Sequence, residues 1–246
     1  MTKKASQKRK NIRFFDQTFF KRKFEMRIKD GVYWYKEQGF FDANTYVIKD
    51  ELTVLIDPGL ENYLGRRLKE IPADGTDPED IDIILVTHLH PDHCGAAAAL
   101  KELSGAQVAL HPSQREYLDI MAEEAVKFFG FDITRKFSAD LVLGERLSLG
   151  KTYLEVLHTP GHSPCSICFY AGDKKMLICG DLVFEQGVGR TDLPFGNAEE
   201  LKTSIETVST LDTELLLPGH GGIIEGRNKI KRNYEFIKEV YFKAFF

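Results

Sequence analysis

Apolar residues fall along this chain in short blocks with two rhythms. Val32–Tyr35, Thr45–Ile48 and Thr53–Ile56 are dense in β-branched and aromatic residues and predict strands. Asp57-Pro58-Gly59 then breaks the chain as a turn, and Leu64, Leu68 and Ile71 recur at helical spacing. Ile81–Val86 is a short apolar run bounded by charge, as expected of a buried strand. Ala96–Leu103 predicts a helix, Gln107–Leu110 a strand, and 113–130 one or two helices. Strands are expected again at 140–143, 152–157, 166–171 and 176–179. A helix over 198–210, a strand at Leu215–Leu217 and a last helix from about 227 complete the pattern. In that last helix Ile230, Tyr234, Ile237 and Tyr241 share one face.

Each half of the chain thus offers several strands followed by helices. Amphipathic helices must bury one stripe against a sheet, so the expected architecture is α/β, with two sheets packed together and helices outside. At 246 residues, 43% hydrophobic and 28% charged, the chain suits one large folded domain. No apolar run reaches membrane-spanning length, and the N-terminus lacks the pattern of a secretory signal, so the cytoplasm is the expected compartment.

Charge divides the chain. Residues 1–25 hold nine Lys or Arg against Asp16 and Glu25, so the net −4 separates into about +7 on this stretch and about −11 on residues 26–246. The arm reads either as a disordered extension or an early start, or as a nucleic-acid, membrane or transit segment. The acidic body argues against nucleic acid as the main partner, since phosphate binding needs a basic surface. The cysteines are Cys94, Cys165, Cys168 and Cys179, expected as reduced, buried thiols. Cys165 and Cys168 are three apart, and strand spacing would turn them to opposite faces.

The chemistry is concentrated in Thr87-His88-Leu89-His90-Pro91-Asp92-His93, directly after a predicted strand. His88 and His90 are two apart in extended chain and point to one side. Pro91 keeps His90 extended, and Asp92 and His93 open a helix. Three imidazoles and a carboxylate within six residues are ligands for zinc, iron or manganese. Three further segments end a short apolar strand on a candidate ligand: Leu157–His162, Leu177–Asp181 and Leu215–His220. In each, glycine stands immediately before the ligand and lets the backbone bend and approach closely.

H-x-H-x-D-H at 88–93, then His162, Asp181 and His220, resembles the metallo-β-lactamase superfamily. LIDPG at 55–59, TPGHSPCS at 159–166 and PGHG at 218–221 extend the resemblance, which spans residues 26 to about 225. Within it the chain is most similar to glyoxalase II-like hydrolases. Gly189–Pro194 resembles their short, single-domain branch and also the persulfide dioxygenases. The resemblance implies a four-layered αββα sandwich. It also implies one metal on His88, His90 and His162, a second on Asp92, His93 and His220, and Asp181 bridging both. Two such divalent ions, zinc first and iron or manganese as alternatives, lower the pKa of a shared water from about 16 to about 7. Asp92 would orient that water as the catalytic carboxylate. A thioester suits the site, because a thiolate leaves without much help from an acid. A small acyl thioester is therefore the expected partner, with neither nucleic acid nor membrane.

Arg190 is either a substrate contact or one half of an ion pair with Asp192. Asp57 is either the partner of a ligand imidazole or a plain turn residue. His111 is expected to cap a helix or line the rim, and His158 and Cys94 to be structural. The competing function is a persulfide dioxygenase with one iron on His88, His162 and Asp181. A lactamase fits less well because the carboxylate at Asp181 suggests a bridged pair of metals, a nuclease because no basic groove is evident, and an inactive scaffold because no ligand is missing. Only 26 residues follow His220, too few for the helical domain that grips glutathione in full-length glyoxalase II proteins.

Overall fold

The structure is a computed structural model and describes residues 26–130 and 138–245. The basic arm at 1–25 lies outside the described residues. The first half builds one sheet in sequential order from β1 (Arg27–Lys29), β2 (Val32–Tyr35), β3 (Thr45–Lys49), β4 (Thr53–Ile56), β5 (Ile83–Leu85), β6 (Gln107–Leu110) and β7 (Leu141–Val142). Strands β1 to β4 pair antiparallel and β4 to β7 parallel. The parallel crossovers carry helices α1 (Glu61–Glu70), α2 (Pro91–Cys94), α3 (Ala97–Ser104) and α4 (Pro112–Phe129). The second sheet holds β8 (Arg146–Ser148), β9 (Tyr153–His158), β10 (Ile167–Ala171), β11 (Met176–Gly180), β14 (Leu215–Pro218) and β15 (Ile224–Glu225). A small hairpin, β12 (Val183–Phe184) and β13 (Gly187–Val188), follows β11. Helices α5 (Ala198–Val208) and α6 (Arg227–Phe245) belong to this half.

Side-chain alternation explains how these elements stack. Along β3 and β4, Tyr46, Ile48, Val54 and Ile56 face one way and Val47 and Leu55 the other. The first set packs against Leu154, Phe169, Ile178 and Leu217 of the second sheet. The second set packs beneath α1, α3 and α4 on Leu64, Leu100, Met121 and Ala122. On the far side, Cys168, Leu177 and Leu216 meet Leu201, Ile205, Ile230 and Ile237 of α5 and α6. Three apolar interfaces separate four layers, which is the αββα sandwich. Each fully buried Leu, Ile or Phe contributes about 1.5–3 kcal/mol, so both faces of each sheet must be covered.

The apolar faces were legible, but some boundaries moved. A single helix, Pro112–Phe129, covers the stretch where one or two were expected. Strands β1, β8, β12, β13 and β15 were not expected, and none exceeds three residues. All four cysteines are free and buried. Cys165 packs under the first sheet and Cys168 under the second, so the pair does not share one environment.

The two sheets are also joined by hydrogen bonds at one end. Asn44 N donates to Gly219 O at 2.7 Å, and Ile167 N to Thr87 O at 2.8 Å. Tyr46 Oη donates to Pro218 O at 2.6 Å. These bonds fasten the loops that carry the polar cluster described next. No helix among the described residues is long and apolar enough to cross a membrane.

Candidate metal centre

Strand β5 ends one residue before Val86 and Thr87, and the chain then runs extended through His90, whose φ is −72° and ψ 146°. Pro91 disfavours helical geometry in the residue before it and starts α2, so His90 is the last extended residue and Asp92 and His93 enter the helix. The second sheet answers with three strand ends. His162 follows β9, Asp181 follows β11 and His220 follows β14. The parallel pairing of β11 with β14 brings Asp181 and His220 to the same end.

All seven residues converge. His90 Nδ1 lies 3.0 Å from His88 Nε2 and 2.9 Å from His162 Nε2. His220 Nε2 lies 3.3 Å from His93 Nε2 and 3.3 Å from Asp92 Oδ2. Asp181 stands between these groups: Oδ2 is 3.5 Å from His162 Nε2 and 3.4 Å from His220 Nε2, and Oδ1 is 3.2 Å from His93 Nε2. Gly219 makes this convergence possible, since a Cβ there would sit 2.3 Å from Asp181 Oδ1 and 2.6 Å from His93 Cε1. Gly180, at φ +48°, likewise passes Thr87 too closely for a side chain.

The outer ring nitrogens are engaged. His162 Nδ1 donates to the Arg190 carbonyl at 2.8 Å, which leaves Nε2 as a lone pair facing inward. His93 Nδ1 meets Asp57 Oδ2 at 2.9 Å, and His220 Nδ1 meets Glu37 Oε2 at 3.1 Å. Asp57 also accepts from the Thr87 amide at 2.7 Å and the Thr87 hydroxyl at 2.8 Å. Such partners orient imidazoles for metal binding and raise their basicity. Asp57 is therefore the partner of an imidazole, with its own backbone at φ +56°.

Electrostatics separates the imidazoles. Burial and the neighbouring ring His162 push His90 down to about 3, and burial with His93 pushes His88 well below its usual value. Burial works against a charge on His93 too, but Asp181, Asp57 and Asp92 raise it to about 10. His220 is raised to about 12, burial being outweighed by the hydrogen bond to Asp181 and its charge. Asp181 is held well below the usual carboxylate range: burial opposes its charge, but His93 and His220 prevail.

These side chains fit a pair of divalent cations. His90 Nδ1 faces two inward ring nitrogens at about 3 Å and a single ring proton can serve only one of them, a crowding that a cation would relieve, and the buried Asp181 Oδ1 has no hydrogen-bond partner. Three donor groups arise, His88–His90–His162, His88–His93–Asp181 and Asp92–His93–His220, each with its ligand atoms within 4.8 Å.

The other candidates lie outside the cluster. His111 caps α4 by accepting from Ser113 N and stacks on His158 at 5.7 Å. Cys94 packs in the first-sheet core. Arg190 lines the cleft in front of the cluster, and Asp192 clasps its Nε and Nη2 at 2.9 Å each. Sequence reasoning missed Glu37, and with it the Asp42–Arg67 pair that fastens the loop 36–43. Asp42 Oδ2 accepts from the Gln38 amide and from Arg67 Nη2, with Arg67 fully buried. Arg67 sits on the apolar stripe of α1 between Leu64 and Ile71, and a charged residue on a core-facing stripe signals a buried partner.

Comparison with known proteins agrees with this geometry. The model of the metallo-beta-lactamase superfamily matches residues 38–220. A probable metallo-hydrolase of Bacillus subtilis, YqgX, is 39% identical over 189 residues, 74% of this chain and 87% of that protein. The hydroxyacylglutathione hydrolase GloC of Haemophilus influenzae is 34% identical over 74% of this chain and 86% of its own length. Among solved structures, TTHA1623 in a di-iron-bound form superposes with a TM-score of 0.65 at 33% identity, covering 77% of this chain and 92% of that one.

Proposed function

The chain belongs to the metallo-beta-lactamase superfamily of metallohydrolases, and from that premise we propose that it hydrolyses acyl thioesters, in the manner of glyoxalase II. The observation that carries the reading is a set of seven donor residues, Asp181 at its middle, open to a cleft of about 600 Å³. In this reading His88, His90 and His162 hold one divalent ion, and Asp92, His93 and His220 the other, with Asp181 shared. Zinc is the first assignment, with iron and manganese as alternatives. Such a pair supplies Lewis acidity, polarising a carbonyl and making water acidic enough to attack near neutral pH.

The chain's own residues do the rest. Asp92 lines the cleft, and its carboxylate stays anionic: burial opposes the charge, but His93 and the hydrogen bond from His220 outweigh it. It accepts a hydrogen bond from the attacking water and orients it toward the carbonyl. Arg190 contacts the substrate at the mouth. Asp192 neutralises its charge, and the free edge of its guanidinium donates to a neutral polar group. The thiolate leaves unaided, so the mechanism asks for no general acid.

The similarity to GloC supports the thioester reading. The similarity to a di-iron protein keeps the mono-iron persulfide dioxygenase as the rival. Chelated protein restored with zinc, manganese or iron decides between them. We expect about two metal equivalents and turnover of S-lactoylglutathione or simpler acyl thioesters, rising on one ionisation below about pH 7.5. One iron per chain, with glutathione persulfide consuming oxygen and no thioester cleaved, overturns the hydrolase.

A further inference from the structure

The cleft has an apolar wall that the chemistry above does not use. Loop 36–43 stands on one side of it, and Phe40 and Phe41 line its mouth at 82% and 45% exposure. Their ring centroids lie 4.2 Å apart. Leu193 lines the cleft from the other loop, that of Arg190, and Phe184 lines it from β12. Two adjacent exposed phenylalanines are costly to keep in water, and at a cleft mouth they mark a binding surface.

The loop is held so that these rings cannot retreat into the core. Glu37 is fixed by His220 at 3.1 Å, by Gly221 N at 3.2 Å and through its own amide by Asn44 Oδ1 at 3.1 Å. Past the phenylalanines, Asp42 accepts from Gln38 N at 2.8 Å, Leu60 N at 3.2 Å and the buried Arg67 at 3.2 Å. Between these anchors Phe41 adopts φ +58°, a conformation unfavourable for a bulky side chain. Such strain persists only where its surroundings impose it.

Charge decides what the rings can receive. The cations proposed at the floor of the cleft are met by Asp92 and Asp181, and Glu37 and Asp42 pair with His220 and Arg67; toward the mouth, among the described residues, the cationic side chain that lines the cleft is the guanidinium of Arg190, already clasped by Asp192. Recognition of a substrate carboxylate needs a cation free to make charge-assisted bonds. The geometry points to Phe40 and Phe41 as a specificity-determining rim that receives the uncharged, apolar thiol arm of the substrate. This rests on the thioester reading and sharpens it: the preferred leaving group is a neutral apolar thiol, not a tripeptide thiol with free carboxylates.

The test holds the acyl group constant and varies the arm. Acetyl thioesters of neutral alkyl thiols from ethyl to hexyl are compared with S-acetylglutathione on the metal-loaded full chain. We expect kcat/KM to climb up to about fourfold per added methylene, the limit set by full burial of each group, and to exceed that for S-acetylglutathione. In the Phe40→Ser/Phe41→Ser variant the climb is expected to flatten. In parallel, calorimetry follows binding of the matching non-hydrolysable alkyl thioethers to both proteins. A length-independent series in wild type, a series unchanged by the double substitution, or preference for S-acetylglutathione overturns the rim. Length-dependent, phenylalanine-dependent thioether binding without turnover of any thioester supports the rim and overturns the hydrolase instead.

Discussion

The two ends of the candidate metal centre both rest on imidazoles, three on one side and two beside an aspartate on the other, but in opposite surroundings. In the group His88–His90–His162 every side chain is buried, and the outer nitrogens of His88 and His162 meet neutral oxygens, the Thr87 hydroxyl and the Arg190 carbonyl. In the group Asp92–His93–His220 two members are half-buried, and both imidazoles are backed by carboxylates, Asp57 and Glu37. A neutral setting keeps imidazole unprotonated and ready as a ligand. A carboxylate-backed setting makes a stronger base, for which protons compete with metal. One site can thus carry a side that loads freely and a side whose loading depends on pH.

The largest expected effect erases the comparison. Asp181 faces both groups, so Asp181→Ala is expected to reduce activity to background and lower bound metal below two equivalents. Elemental analysis beside steady-state rates checks this, and full activity with full metal content would falsify a shared role for Asp181.

A smaller change should bear harder on one side than on the other. Gly219→Ala forces a methyl into Asp181 Oδ1 and the His93 ring, and displacement by about 1 Å typically costs about 100-fold in rate. We expect that loss together with weakened binding of one metal equivalent. Gly65→Ala on α1 is the control, because nothing lies within 4 Å of the added carbon. Equal kinetics for the two variants would remove the argument from close approach.

The third effect is a count of protons. In chelated protein, His93 and His220, raised to about 10 and about 12, are charged at pH 7, whereas His88 and His90, both lowered, are neutral. Metal binding by the carboxylate-backed group must expel protons, so its affinity rises with pH and falls on acidification. The three-histidine group should bind with little release near neutrality. Calorimetry in buffers of different ionisation enthalpy measures both steps, with about two protons expected for one and about none for the other. Identical release for the two steps dissolves the distinction.

The residues that converge at the candidate site were more legible than those that support them. His88, His90, Asp92 and His93 announce themselves because local chain geometry alone brings them together. His162, Asp181 and His220 were recognisable by the repeated form of apolar strand, glycine and ligand, although only strand pairing brings them near one another. Asp57 was visible as one of two options, since a turn aspartate looks alike in both roles. Glu37 had no such signal: it lies 183 positions from His220, and only the closed sandwich makes them neighbours. The major layers followed from period-two and helical spacing, whereas strands of two or three residues such as β12, β13 and β15 are too short for alternation to register.

The hydrogen bonds from Asn44 to Gly219 and from Ile167 to Thr87 tie each sheet to the ligand loops of the other. Their consequence is cooperativity. Neither half can swing away without breaking buried backbone bonds on both sides, so the rim of the centre opens only when the sandwich does. The amides of Asn44 and Ile167 therefore belong with the slowest-exchanging protons of the molecule, and the site draws its rigidity from global rather than local stability.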